Sequence, residues 1–257
     1  YASEDYVDQN LNCGGCHMKG TDEPVARREG KVYPERRRHS HSWPGVDVAL
    51  TDFPNRDVQR ALIQDELDTV LNPQLCVTVD PVGGDATITV DLENLAAGHS
   101  FPSGASADRR VWVEVIAYQD GNEAFVSGKV PDGVSVKDAA DPNLWEIRDW
   151  HMDAQGEETH FFWEVTDIES ELLPGPTARF PEDPNWTETH RIRAYTAEEV
   201  QPDRVTLKVF MRPFGLDIFD ILASEGLDAS IREAIPTFEL RGAALEWTTD
   251  LGRPCVR

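Results

Sequence analysis

Positive charge is scarce in this chain. Over 257 residues, 24 Lys and Arg stand against 47 Asp and Glu, a net charge of −23. Proteins that bind nucleic acid neutralise phosphates with clustered Lys and Arg, so this deficit argues against a nucleic-acid partner. The deficit is uneven: residues 1–60 hold 9 basic against 10 acidic residues, and residues 61–257 hold 15 against 37. An acidic surface favours solubility, steers basic partners and suits a salty or extracellular medium. Long apolar runs are missing too. No stretch reaches 18 apolar residues, so this chain predicts no transmembrane helix. There is no internal repeat, no initiating methionine before Tyr1, and no signal-peptide pattern. The simplest expectation is a mature or trimmed chain whose export signal is gone, or the tail of a longer protein. Apolar content of 40% suffices for a core, and 17 prolines make the chain loop-rich.

Cysteine is nearly absent as well, and two of the four sit together in Cys13-Gly14-Gly15-Cys16-His17. This is the C-x-x-C-H form of a c-type haem attachment site. Two thiols three positions apart each suit a thioether to a haem vinyl group. The histidine that follows is then held under the iron as proximal ligand, and Gly14 and Gly15 crowd nothing at the porphyrin edge. A thioredoxin-like dithiol would follow a strand in a βαβ pattern, which is missing here. A zinc site would need a second ligand pair, whereas Cys76 and Cys255 are single and far apart. The predicted cofactor is one covalent haem c. Because bacterial C-x-x-C-H motifs are loaded outside the cytoplasmic membrane, the expected location is the periplasm or beyond it. In that oxidising compartment Cys76 and Cys255 are expected to pair, tying the first strand to the C-terminal tail.

The remaining pattern predicts a mainly β fold. Residues 1–72 form a haem c-binding segment of coil with one helix, and residues 73–257 an antiparallel Ig-like β-sandwich with a helical insert. The helix starts at Asn55 as N-cap, shows Val58, Leu62, Ile63 and Leu67 at helical spacing, and stops at Asn72-Pro73. Period-two alternation then marks strands at 76–79, 87–92, 110–118, 161–165, 190–195 and 204–211, with Gly83-Gly84-Asp85 as a hairpin signal. Helical patterning returns at 215–222 and 228–234, with Asp228 as N-cap, before closing strands at 238–240 and 244–247.

An electron-transfer haem commonly takes a second protein ligand. Met18 is too close to His17 to reach the opposite face, and Met152 and Met211 lie within the sandwich. The candidates are His39, His41 and His99, while His151, His160 and His190 read as surface or edge residues. The run Arg36-Arg37-Arg38, with Arg27, Arg28 and Lys31, reads equally as a partner for haem propionates and as a solvated basic loop.

Cys13 to Met18 followed by His41-Ser42-Trp43-Pro44-Gly45 resembles the C-x-x-C-H-M … H-x-[FW]-x-G arrangement of multihaem c-type cytochromes. Residues 94–104, Asn-Leu-Ala-Ala-Gly-His-Ser-Phe-Pro-Ser-Gly, resemble the N-x-G-A-G-H-x-F-P-T-G signature that opens their C-terminal β-sandwich, and Asp108-Arg109-Arg110 before a strand fits as well. The resemblance covers most of residues 10–120 and more loosely the rest. It departs in number, since such proteins carry several C-x-x-C-H motifs and this chain one. It implies His41 as the distal iron ligand, with His99 as the alternative for this haem or for a haem of a neighbouring chain.

The expected function is electron transfer by one haem, within or at the tail of a larger multihaem assembly, with other cytochrome chains or copies of itself as redox partners. One alternative is a haem subunit of a periplasmic oxidoreductase, in which Trp145, Trp150, His151, His160 and Trp163 line a pocket. Another is a binding module whose sandwich recognises a partner protein or carbohydrate. Asp138, Asp141, Asp149, Asp153 and Glu157 do not have the spacing of a calcium loop and read as a solvated face.

Overall fold

The computed structural model describes residues 13–94, 96–178, 182–184 and 186–257. The first twelve residues of the expected haem segment, and Leu95 of the 94–104 signature, lie outside them. A one-turn helix, α1 (Cys13–His17), carries the attachment motif. A separate two-stranded ribbon follows, β1 (Gly20–Pro24) antiparallel to β2 (Glu35–His39). Every residue of β2 is exposed, Arg36, Arg37 and Arg38 included. Helix α2 (Arg56–Leu67) comes next, then the sandwich.

One sheet has four strands. In order these are β10 (His190–Ala197), β4 (Ala86–Asn94), β3 (Leu71–Val79) and β14 (Cys255–Val256). The second is built on β12 (Phe238–Glu239), β11 (Arg204–Arg212), β5 (Arg110–Gln119) and β6 (Asn122–Ser127). Strand β13 (Leu245–Thr248) pairs β11, and β7 (Trp145–Glu146) pairs β5. A small ribbon of β8 (Asp149–Met152) and β9 (Asp167–Ser170) stands apart from both.

The period-two pattern explains the layering. Alternate residues of a strand face one side, so Ala86, Ile88, Val90 and Leu92 of β4 are all fully buried while their neighbours are not. The register sets Leu75 beside Val90 and Val77 beside Ile88, and in the other sheet Val113 beside Val209 and Val115 beside Leu207. These residues from both sheets form one buried cluster, which is the sandwich core. Ile63 and Leu67 of α2, four residues apart on one helical face, enter the same cluster. Val58, in the first turn of α2, does not and is 58% exposed.

Three local expectations are corrected. Residues 161–165 form a turn rather than a strand, with Phe161, Phe162 and Trp163 exposed, Phe161 stacked on Trp163 and Phe162 edge-on to it. The helix ends at Leu67 rather than at Asn72-Pro73, because Asn72 and Pro73 already lie in β3, with Pro73 beside Leu92 of β4. The helical insert is as expected in place, α3 (Leu216–Ser224) then α4 (Ser230–Glu233). Ala229 rather than Asp228 takes the N-cap position, and Asp228 accepts a hydrogen bond from the Ser230 amide at 3.0 Å. Cys76 and Cys255 are bridged, facing one another across the β3–β14 pair.

Candidate haem site

Cys13 and Cys16 fall three apart on the single turn of α1, which brings both thiols to one side of the helix. Both are free, Cys13 exposed and Cys16 partly buried. His17 closes the turn. Its Nδ1 lies 2.8 Å from the carbonyl oxygen of buried Pro44. A carbonyl can only accept, so Nδ1 is the protonated donor and Nε2 keeps the lone pair that a metal needs.

The 44–50 segment fastens this motif to the sandwich. Val46 and Val48 pack on the core cluster, and the Ala49 amide donates to Gln59 Oε1 at 3.1 Å. Asp47 receives a two-pronged ion pair from Arg109, one arm measuring 3.0 Å. Arg109, only 4% exposed, also donates to the Pro213 carbonyl at 2.8 Å and the Ser103 carbonyl at 3.3 Å. A second tie runs from Lys19, just after the motif, to Glu66 of α2 at 2.6 Å.

The opposite wall is the 96–104 loop after β4. Asn94, 1% exposed, organises it: Nδ2 donates to the carbonyls of His99 (2.7 Å), Pro174 (3.2 Å) and Leu173 (3.3 Å), while Oδ1 accepts the Ala97 amide at 3.3 Å. Phe101 and Leu173 exchange two backbone hydrogen bonds of 2.9 Å. Gly175 passes so near that a Cβ there would lie 2.5 Å from the His99 carbonyl carbon, so only glycine permits this approach. The loop presents His99 with its Nδ1 2.9 Å from the Ser100 carbonyl oxygen, which again leaves Nε2 with the lone pair.

His17 and His99 face each other across a cleft of about 250 Å³, with apolar walls that include Ile63, Leu67, Phe101 and Met211. Their ring centroids are 6.5 Å apart and their planes differ by 6°. An imidazole nitrogen sits about 2 Å from a first-row metal ion, which puts two rings ligating one iron from opposite sides roughly 6 Å apart, centroid to centroid. The spacing, the matched tautomers and the neighbouring Cys16 therefore fit a haem with two histidine ligands. A bare ion is served less well, because no group of three or more His, Cys, Asp or Glu converges among the described residues.

The other sequence candidates lie elsewhere. His41 is exposed, shares a surface groove beside β2 with His39, and is not among the residues that line the cleft. His39 Nδ1 lies 2.7 Å from the Met18 carbonyl oxygen. The basic run lines a separate surface hollow through Arg27, Arg28 and Lys31; the cation at the cleft is Arg109. Of the residues of the alternative pocket, Trp145 and Trp150 line one surface cleft, while His151, His160 and Trp163 are not among its lining residues. Trp145 is core, Trp163 is 67% exposed, and His160 is bound to Asp108 at 3.0 Å. Asp141 and Asp153 accept backbone amides in turns. Sequence reading missed Pro44 as the carbonyl under His17 and Asn94 as the organiser of the loop. The signal for Asn94 was its place at the head of the 94–104 signature.

No family model matches the chain, and no curated protein sequence matches it. Among solved structures, it is similar to a penta-heme cytochrome c552 from Thermochromatium tepidum, with a TM-score of 0.53 and 16% identity over 95% of this chain and 49% of that one. The chain thus has a fold of the kind seen in a multihaem cytochrome and spans about half the length of that protein.

Proposed function

We propose that this chain is a c-type cytochrome that carries one covalent haem c and transfers electrons. The observation that carries the reading is the pair His17 and His99, each with Nδ1 on a backbone carbonyl, parallel and 6.5 Å apart beside Cys16. In this reading Cys13 and Cys16 hold the haem through thioethers, and His17 and His99 are its two ligands. His99 takes the place first expected of His41, because His99 is the one that faces His17. Bound there, the haem supplies a one-electron iron couple whose potential the protein tunes. The chain's own residues do the rest. The Pro44 and Ser100 carbonyls hold the two Nδ1 protons, which fixes both tautomers and raises the basicity of both ligands. Ile63, Leu67, Phe101 and Met211 keep one wall of the site apolar. Arg109 is neutralised by Asp47 and adds no net charge.

The wider reading is a subunit or tail of a larger multihaem assembly, exported to the periplasm or the cell exterior. Its redox partners are other cytochrome chains or copies of itself. The Cys76–Cys255 bridge supports an oxidising compartment, and the half-length match to a penta-heme protein supports the assembly. No helix among the described residues is long and apolar enough to cross a membrane. The test compares two variants of the haem-loaded chain. His99→Ala should turn the reduced spectrum high-spin and let carbon monoxide bind, while His41→Ala keeps the parent's low-spin spectrum. The reverse pattern would return the ligand role to His41.

A further inference from the structure

We propose that Trp43 is a positioning residue for His17 and, through it, favours the ferrous state of the haem; this rests on the haem reading given above. Trp43 has a backbone φ of +40°, in the left-handed region that a bulky residue adopts only under strain. It also precedes Pro44, which restricts it further. Core burial does not hold it there, since the side chain is 50% exposed and its neighbours Ser42 and Gly45 are exposed as well. Glycine would make this turn without strain, so the indole is kept for what it covers.

What it covers is the proximal imidazole. The indole lies against one face of the His17 ring, 5.4 Å between centroids and 23° between planes. The same turn aims the Pro44 carbonyl at His17 Nδ1. The adjacent pair Trp43 and Pro44 thus fixes the ring by its face and by its nitrogen. A stacked aromatic holds a plane and keeps water from the edge it shields. The carbonyl bond to Nδ1 governs how strongly the imidazole donates to a metal, and the dryness around a ligand governs the potential. Opening this side to water favours the more highly charged ferric state, so loss of the indole should lower the potential.

The experiment uses the full haem-loaded chain and two variants, Trp43→Gly and Trp43→Phe. It measures haem per chain, thermal stability and the ferric–ferrous equilibrium in a potentiometric titration. Trp43→Gly should keep its covalent haem and melt no lower than the parent, because strain is relieved. Its equilibrium should shift toward ferric by about threefold to tenfold, tenfold being 59 mV for one electron. Trp43→Phe should recover most of that shift. A Trp43→Gly chain with the parent's potential would overturn the inference and leave the haem reading standing. So would a Trp43→Phe chain shifted as far as the glycine variant. A parent without covalent haem would overturn both.

Discussion

Burial separates side chains that carry charge from those that merely display it. Arg148 is 2% exposed, and its guanidinium donates to Glu158 at 2.7 Å and to the Ala107 carbonyl at 3.1 Å, with Glu146 at 3.3 Å. Burial alone would raise the Glu158 carboxyl. The hydrogen bond and charge of Arg148, with Lys137 beside it, outweigh that and hold it at about 2. A carboxylate whose folded value lies below its unfolded value of 4.5 binds its proton more readily when unfolded. Its contribution to stability is therefore complete above about pH 4.5 and is lost as pH falls toward 2. A fall from 4.5 to about 2 corresponds to roughly 3–4 kcal/mol. Glu158→Gln should be less stable than the parent by about that amount at pH 7, as a buried arginine loses a partner. Urea midpoints measured from pH 7 to pH 2 should show the gap between the two closing. A gap that persists at pH 2 would contradict the assignment.

At the scale of elements, most of the sandwich was legible because alternation is a direct image of a half-buried strand. The 204–211 and 87–92 patterns became β11 and β4 with their apolar residues inward. The same reasoning failed at 161–165, where Phe161, Phe162 and Trp163 have the composition of a strand but fold as an exposed aromatic turn. Hydrophobicity shows what a segment could bury and is silent on whether a neighbour is there to bury it. The C-x-x-C-H motif is visible in five residues because its spacing is local. Which histidine faces His17 across the cleft was not legible, because the placement of His99 depends on Asn94, Gly175 and the Phe101–Leu173 pairing, all tertiary. The bridge between β3 and β14 is a further element-scale feature, closing residues 179 apart in sequence. In the chain-entropy account so long a loop contributes about 4–5 kcal/mol. Replacing both Cys76 and Cys255 by serine should lower the melting temperature markedly while leaving the haem spectrum unchanged, since the bridge does not line the cleft. A changed spectrum would mean that the tail of the chain bears on the site.

For the whole molecule, α2 and the 44–50 segment join the haem motif to the sandwich through Ile63, Leu67, Val46 and Val48. The motif at one end of the chain and His99 in a sandwich loop can then form one site, and the fold acts as the frame that sets their spacing. The charge follows the same division, with the acidic excess almost wholly in residues 61–257. On the electron-transfer proposal, a redox partner that binds through residues 61–257 is expected to be basic and to bind more weakly as salt rises. The most direct measurement on the central claim is an ultraviolet–visible spectrum of the purified protein, oxidised and reduced, with a pyridine haemochrome determination of haem per chain. One covalent haem and a low-spin spectrum unmoved by carbon monoxide or cyanide is the predicted result. A chain without covalent haem, or with a high-spin haem that binds carbon monoxide at once, would contradict the account.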